Sequence, residues 1–273
     1  MAKIILKCER DVAFDSPDHL VPEGTKSDNS KNPRFNKRLY ALYAPNMPAV
    51  LDLGCSGGGF VKDCIDDGCL AVGLEGSDFS KRSGRVEWAT IPDNLFTCDI
   101  SRDFQLYIGN NGKMDPLKFD VVTMWEVIEH IAERDLPTLC KNIQKHLKPG
   151  GLWIASVGWG SIVLGGLEHH QTVKERDWWE NMFMKNGFTN MPNLMRHFNT
   201  QWVRGAKLPL RYGFNIVLTN DPTKAPRPVR GSVVDTIMDY SVGLPGGVGQ
   251  ILNVYWEGSP CQMVKRKLFG RRV

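Results

Sequence analysis

Short apolar runs alternate along this chain with polar, glycine-rich and proline-rich intervals, at the spacing of strands that feed helices. Val50, Leu51 and Leu53 form one such run, rich enough in branched residues for a buried parallel strand. It stops at Gly54-Cys55-Ser56-Gly57-Gly58-Gly59, where main-chain N–H groups lie bare of side chains, and Phe60, Val61, Cys64 and Ile65 then recur at helical spacing. Strand, glycine turn and helix make the first half of a nucleotide-binding α/β sheet. Cys69 to Leu74 predicts a second strand, Asn94 to Cys98 a third and Phe119 to Met124 a fourth. Trp125 to Leu147 reads as a helical stretch broken near Pro137 and stopped by Lys148-Pro149-Gly150-Gly151, after which Leu152 to Val157 supplies a fifth strand.

The flanks are less regular. Lys3 to Cys8 predicts a short strand, Asp15 to Lys37 a polar loop, and Arg34 to Tyr43 a lead-in helix that ends before Pro45 and Pro48. Residues 102 to 118, with the turn Gly109-Asn110-Asn111-Gly112, read as an irregular crossover. Val173 to Gly187 predicts an amphipathic helix whose Trp178, Trp179, Met182 and Phe183 pack on the sheet. Phe188 to Phe198 and Gly213 to Thr219 suit two last strands, with 199 to 212 between them shaping a substrate pocket. Prolines then cluster. The expected division is a lead-in over 1–44, one catalytic domain over 45–220, and an extension over 221–273 with short apolar runs at Val233 to Met238 and Ile251 to Trp256.

Composition narrows the class. With 273 residues, 42% of them hydrophobic, the chain can bury the core of one α/β domain. Seven cysteines, at 8, 55, 64, 69, 98, 140 and 261, never fall in C-x-x-C spacing, so neither a disulfide framework nor a zinc knuckle is indicated. A reduced, cytoplasmic setting is expected. No apolar run reaches the roughly 20 residues of a membrane span, and Ile4-Ile5-Leu6 is too short for a signal peptide, which predicts a soluble, unprocessed protein. The net charge is +4, but Lys265, Arg266, Lys267, Arg271 and Arg272 carry five positive charges, and without them the balance is −1. The body lacks the basic bias of a dedicated nucleic-acid binder, and the tail reads as a solvated end.

Asp52 decides between ligands. Dinucleotide folds place a pyrophosphate at their glycine turn, whereas a carboxylate two residues before the first glycine repels phosphate and suits a cationic ligand. The pattern Asp52, Gly54, Ser56, Gly58 resembles the D/E-x-G-x-G-x-G motif of class I S-adenosylmethionine (SAM) methyltransferases, with Ser56 in place of the middle glycine. FDVV, EVIEHI and LKPGG followed by a strand come in that family's order, so the resemblance spans residues 49 to 157. It implies an α/β, Rossmann-like fold with a seven-stranded, mostly parallel sheet and SAM as cofactor. Glu75, about 20 residues past the glycine turn and at the end of the second strand, falls where a carboxylate meets ribose hydroxyls. The resemblance further implies that Asp99 and Ile100 flank the adenine and that Cys55, Gly76 and Trp125 line the cofactor's surroundings.

The EVIEHI segment carries the acceptor chemistry. On a helix, Glu126, Glu129 and His130 share one face at the carboxyl end of the sheet, and His169-His170 follows in the loop after the fifth strand. Three uses stay open: a Mg²⁺ or Mn²⁺ site made by Glu126, Glu129, His130 and His170, a general base for an acceptor hydroxyl, or a plain pocket wall. The E-x-x-E-H pattern resembles both the metal site of 3′-terminal small-RNA ribose 2′-O-methyltransferases and the ubiquinone-pathway O-methyltransferases. Residues 158 to 171, glycine-rich and apolar, suit a lid or a substrate loop. The sequence thus predicts a methyltransferase acting on a small-molecule hydroxyl, with Glu126, His130 and His170 at the acceptor. The alternatives are an RNA ribose hydroxyl as acceptor and a non-catalytic SAM-binding or nucleotide-binding protein.

Overall fold

The computed structural model describes residues 3–110, 112–199, 201–205 and 213–229. The apolar runs at Val233 to Met238 and Ile251 to Trp256, the basic tail and Cys261 lie outside the described residues. A seven-stranded sheet forms the frame: β1 (Val50–Leu53), β2 (Ala71–Glu75), β3 (Leu95–Thr97), β4 (Phe119–Trp125), β5 (Leu147–Gly158), β6 (Thr189–Asn190) and β7 (Gly213–Thr219), in the order β6-β7-β5-β4-β1-β2-β3. The first five are mutually parallel where they pair, and β7 runs antiparallel to both β5 and β6. The order reverses between β1 and β4, which opens a crevice at their carboxyl ends.

Both faces of the sheet are covered, so strand residues are buried whichever way they point. Leu51, Leu53, Val122 and Trp153 join helices Leu136–His146 and Arg176–Lys185 on one side. Val50, Val121 and Ile154 join helices Pro33–Ala41, Gly59–Asp66 and Pro192–Phe198 on the other. This is why the strands read as unbroken apolar runs. Trp179 and Phe183 are core residues as expected, and Phe35 is wholly buried between Phe198 and Trp125, each ring 5.0 Å away.

Three expectations need correction. Residues 102–118 are not an irregular crossover: Phe104–Asn110 pairs antiparallel with Lys3–Cys8 and with Lys113–Pro116, making a separate three-stranded sheet. The expected strand over 188–198 shrinks to β6, because Pro192 fits the first turn of a helix and the apolar residues Leu194 and Phe198 then repeat at its spacing. The stretch after β4 is not helical from Trp125. Glu126 takes a left-handed φ of 54° and only single 3₁₀ turns follow, at Ile128–His130 and Glu133–Asp135, until Pro137 opens helix Leu136–His146. The backbone groups freed there bond across the chain instead: Thr172 N–H and Oγ1 donate to the carbonyls of Glu129 (2.9 Å) and Ile131 (2.7 Å).

His146 joins the two sheets. Fully buried, it stacks on Phe104 at 4.7 Å, accepts the Leu106 N–H on Nε2 at 3.1 Å, and donates from Nδ1 to the Asn142 carbonyl at 2.8 Å. Burial holds its pKa down at about 4, against the opposing pull of the Asn142 carbonyl. The unfolded imidazole titrates near 6.5, so the unfolded chain binds the extra proton between those values and stability is lost as pH falls from about 6.5 to about 4. The loss from this group is on the order of 3 kcal/mol. Urea unfolding at pH 7 and pH 4.5 should show a steeper decline for the wild type than for His146→Gln; equal declines would remove the assignment.

Candidate active site

Close pairing of β1 with β2 sets the floor of the crevice. Gly54 has φ 76° and donates its N–H to the Leu74 carbonyl at 2.7 Å; a Cβ there would sit 2.4 Å from Val127 Cγ2, so no other residue fits without displacing Val127. Ser56 also lies in the left-handed region, at φ 48°, and its N–H donates to Glu75 Oε2 at 2.7 Å. The Ser56 hydroxyl is within 3.0 Å of the Thr25 and Asp28 carbonyls, which a middle glycine could not hold. Gly58, at φ 87°, ends the turn and leaves room for Leu95, whose Cδ1 is 2.7 Å from where a Cβ would be.

Glu75 is buried and faces the turn. Its Oε1 accepts the Ser77 N–H at 3.1 Å, and burial raises its pKa to about 7 despite the N–H groups of Ser77 and Ser56 that favour the charged form. Asp52 sits behind the loop. Its Oδ1 accepts from Thr123 Oγ1 at 2.7 Å, and full burial lifts its pKa to about 8. Asp99 accepts the Ser101 N–H and hydroxyl on Oδ1 at 3.0 and 2.6 Å, while Arg10 approaches Oδ2 at 3.3 Å.

The cleft above these residues is open to solvent and runs across the carboxyl ends of β1 to β4. Gly54, Ser56, Glu75, Gly76, Asp99 and Ile100 line it from β1 to β3, and Trp125, Glu126 and His130 from β4. Asp52, Cys55, Gly58, Glu129 and His170 do not reach the lining. Trp125 Nε1 is buried without a partner, a donor left for a ligand.

Because EVIEHI is a 3₁₀ turn, Glu126 parts from Glu129 and His130 instead of sharing one helical face with them. Glu126 meets Arg204 Nε at 2.9 Å, and Arg204 also reaches Asp28 at 3.3 Å. Glu129 is fully buried; Oε1 accepts the Gly158 N–H at 2.6 Å, Oε2 has no partner, and burial raises its pKa to about 7 although His130 pulls the other way. His130 lies between, with Nδ1 2.8 Å from Asp18 Oδ2 in an ion pair not well aligned for a linear hydrogen bond. Burial alone would lower the His130 pKa, but Asp18 and, less strongly, Glu129 together outweigh it and the net direction is up. His169 Nδ1 lies 3.1 Å from Asp18 Oδ1, and His170 Nδ1 donates to the Gly160 carbonyl at 2.6 Å. Ligand atoms of Glu129, His130 and His170 lie within 4.8 Å of one another, as do those of Asp18, His130 and His169.

Sequence reasoning missed Asp18, Thr25, Asp28 and Arg204, all of which line the cleft. The first had a signal. Ser16-Pro17-Asp18 has the helix-start order, and Ser16 does accept the Asp18 N–H at 3.3 Å to cap the short helix Pro17–Leu20. Nothing in the order of residues 199 to 205 marks Arg204. The expected lid after β5 holds a two-strand hairpin, Val163–Leu164 with Leu167–Glu168.

Sheet order, glycine turn and a carboxylate at the tip of β2 define a Rossmann-like class I methyltransferase fold. Residues 28–203 match the methyltransferase domain family, and the chain belongs to it. It is 23% identical over 198 residues to a ubiquinone biosynthesis O-methyltransferase of Bartonella tribocorum, covering 65% of this chain and 76% of that protein. A second, from Bartonella quintana, is 22% identical over 197 residues with the same coverage. Among solved structures, a S-adenosylmethionine-dependent methyltransferase from Clostridium acetobutylicum matches with a TM-score of 0.51 at 13% identity, over 75% of this chain and 96% of that one, a likeness of fold. The protein is therefore a SAM-dependent methyltransferase.

Ser56 ties the N-terminal segment to the glycine turn with one hydroxyl. Replacing it, Ser56→Ala, should speed amide hydrogen exchange at residues 25–30 about fivefold, the worth of one hydrogen bond near 1 kcal/mol, and leave β1 amides unchanged. Uniform exchange in both proteins would show that the hydroxyl holds nothing.

Proposed function

We propose that the protein methylates a hydroxyl of a small molecule, with His130 receiving the hydroxyl proton. The carrying observation is that His130 lines the same cleft as Gly54, Ser56 and Glu75, across from the turn that would hold the cofactor. Bound SAM supplies a methyl group on a cationic sulfur, which keeps the bonding electron pair when the acceptor oxygen bonds to the carbon. The residues of the chain then have separate tasks. Glu75 retains lone pairs beyond those given to Ser56 and Ser77, and these suit two ribose hydroxyls. Asp99 and Ile100 flank the adenine side, and Gly54 and Ser56 face the amino acid end. Carboxylates outnumber arginines around the cleft even with Asp28 and Glu126 paired to Arg204, and that excess attracts the cationic cofactor, whereas a neutral thioether product loses the attraction. His130 Nε2 takes the acceptor proton, which His170 and Glu129 do not reach from outside the lining.

The relatives' names, which specify O-methyl transfer, support a hydroxyl acceptor. The cysteines among the described residues are all free, which supports a reduced, cytoplasmic setting, and no described helix is long and apolar enough to cross a membrane.

A second reading has its own observation. The unpartnered, buried Oε2 of Glu129 lies with His130 and His170, and His170 donates from Nδ1 to a carbonyl, which leaves Nε2 for a metal. Glu129, His130 and His170 would hold the ion, with Glu126 withdrawn to Arg204. One carboxylate with two imidazoles suits Mn²⁺ better than Mg²⁺, and the ion would supply Lewis-acid contact to an acceptor oxygen.

Isothermal titration with S-adenosylhomocysteine and methyl-labelled SAM assays on a catechol and on short RNAs test the main reading. Glu75→Gln should weaken cofactor binding by about tenfold to a hundredfold. His130→Gln should bind normally and lose about 10²-fold to 10⁴-fold in turnover of the catechol. Label passing only to RNA would overturn the small-molecule assignment. For the metal, Mn²⁺ should bind the wild type in a paramagnetic-resonance titration and bind Glu129→Gln at least about tenfold more weakly. Equal binding by both proteins ends that reading.

A further inference from the structure

The N-terminal segment expected to be a loop runs round the rim of the cleft and touches each strand end in turn. Asp99 N–H donates to the Arg10 carbonyl at 3.0 Å, and Ala13 N–H to the Gly76 carbonyl at 2.9 Å, which stitches the segment to the tips of β3 and β2. Thr25 and Asp28 offer their carbonyls to Ser56 at the tip of β1, and Arg85 Nε donates to the Lys26 carbonyl at 2.8 Å. Between these two anchorages lies the capped turn Pro17–Leu20, and it brings Asp18 over the 3₁₀ turn that follows β4.

We propose that Asp18 is a positioning residue of the acceptor site: its carboxylate holds His130 and His169 by their Nδ1 atoms and leaves His130 Nε2 as the nitrogen that meets the acceptor. The inference rests on the reading of His130 as the proton acceptor. An ionised carboxylate only accepts hydrogen bonds, so an imidazole whose Nδ1 faces it carries its proton there, and the lone pair goes to Nε2. Asp18 has two oxygens and uses both. Oδ1 accepts a hydrogen bond from His169 Nδ1 at 3.1 Å, whose buried side chain fixes the carboxylate's rotation, and Oδ2 then lies 2.8 Å from His130 Nδ1, off the line of a straight hydrogen bond but too close for two lone pairs to face each other. A solvated surface ion pair lacks that second, buried partner, and its two members rotate freely. Here the imidazoles of His130 and His169 cross nearly edge to face, 6.3 Å apart and 87° inclined, with the carboxylate between them. The same geometry ties acceptor-side order to cofactor-side order. One segment carries Asp18 and also the carbonyls that Ser56 holds, so the base is oriented only when the segment is seated on the glycine turn.

The test reads the tautomer directly. Long-range ¹H–¹⁵N spectra of the full chain saturated with S-adenosylhomocysteine, recorded as pH is raised until the His130 signals stop moving, are compared for wild type, Asp18→Ala, Asp18→Asn and Asp18→Glu, with His130 assigned through His130→Gln. In the wild type, His130 should be the Nδ1–H form; in Asp18→Ala and Asp18→Asn the Nε2–H form should take over, and Asp18→Glu should restore the first. Methylation of the catechol should fall about a hundredfold in kcat for Asp18→Ala, with KM and the S-adenosylhomocysteine affinity within about threefold and partial recovery in Asp18→Glu. An Nε2–H form in the wild type overturns the proposal even if no variant folds, and so does a tautomer indifferent to Asp18. Full activity of His130→Gln would instead remove the reading of His130 as base, and the tautomer result would stand apart from it.

Discussion

Everything in the cleft depends on one contact: the Ser56 N–H, at the tip of β1, donating to the Glu75 carboxylate at the tip of β2. It exists only because Leu53 pairs with Leu74 in a parallel ladder, so that both strands end at the same height and the first turn curls toward the neighbouring acid. A slip of one residue would send Glu75 to the opposite face of the sheet. The turn accepts strain to make the contact, since Ser56 is a non-glycine residue at φ 48°, a conformation that persists only where surrounding bonds over-determine it. Here they do: its N–H, hydroxyl and carbonyl are all engaged, the last by Trp88 Nε1 at 2.8 Å.

Seen from that contact, the serine that departs from the family's glycine has a structural use. A hydroxyl at this position lets the glycine turn grip the chain that crosses above it, and the polar stretch between residues 10 and 30 becomes the cleft's outer wall. The wall brings charge with it. Asp15, Asp18 and Asp28 face Arg10, His130 and Arg204, so ion pairs, one of them with the exposed Asp15, add to the backbone hydrogen bonds that seat the wall. Such contacts are weaker than a packed core and are screened by salt where exposed.

The frame was legible because its signals are local. An apolar run ending in glycines, an acid some 20 residues later and a helix stop before a fifth strand need only spacing to be recognised, and β1 to β5 lie where those signals fall. The three-stranded sheet was not legible for the opposite reason. Lys3–Cys8 finds its partner about a hundred residues on, at Phe104–Asn110, and although Phe104, Leu106 and Ile108 recur at strand spacing, nothing local says which strand they pair with. Asp18 and Arg204 were hidden in the same way. Each acts through partners distant in sequence, and short polar segments carry no periodicity from which a fold-level position follows. Of Glu126, Glu129 and His130, the last two do come together while Glu126 parts from them to Arg204, since spacing of three and four residues implies a common face only if the backbone is an α-helix.

That parting has a physical origin with consequences for the site. β4 ends beside β5, and the Glu126 N–H turns back to Ser156 Oγ at 2.8 Å, which commits Glu126 to its left-handed φ and prevents the first α-helical turn from forming. Val127 is then brought within 2.4 Å of the Cβ that Gly54 lacks, so the same bend that breaks the helix also fills the space a glycine leaves open. With the helix displaced to Leu136, the three ionisable residues sit on a tight turn. Glu126 goes to Arg204 at the rim, Glu129 goes inward to the Gly158 amide, and His130 alone is left between them, facing the cleft. A straight helix would have stacked two carboxylates beside the imidazole and raised its affinity for protons by direct contact with both. The bend instead separates one acid by burial and neutralises another with an arginine, so that the imidazole answers chiefly to a single carboxylate reaching it from the other side of the cleft.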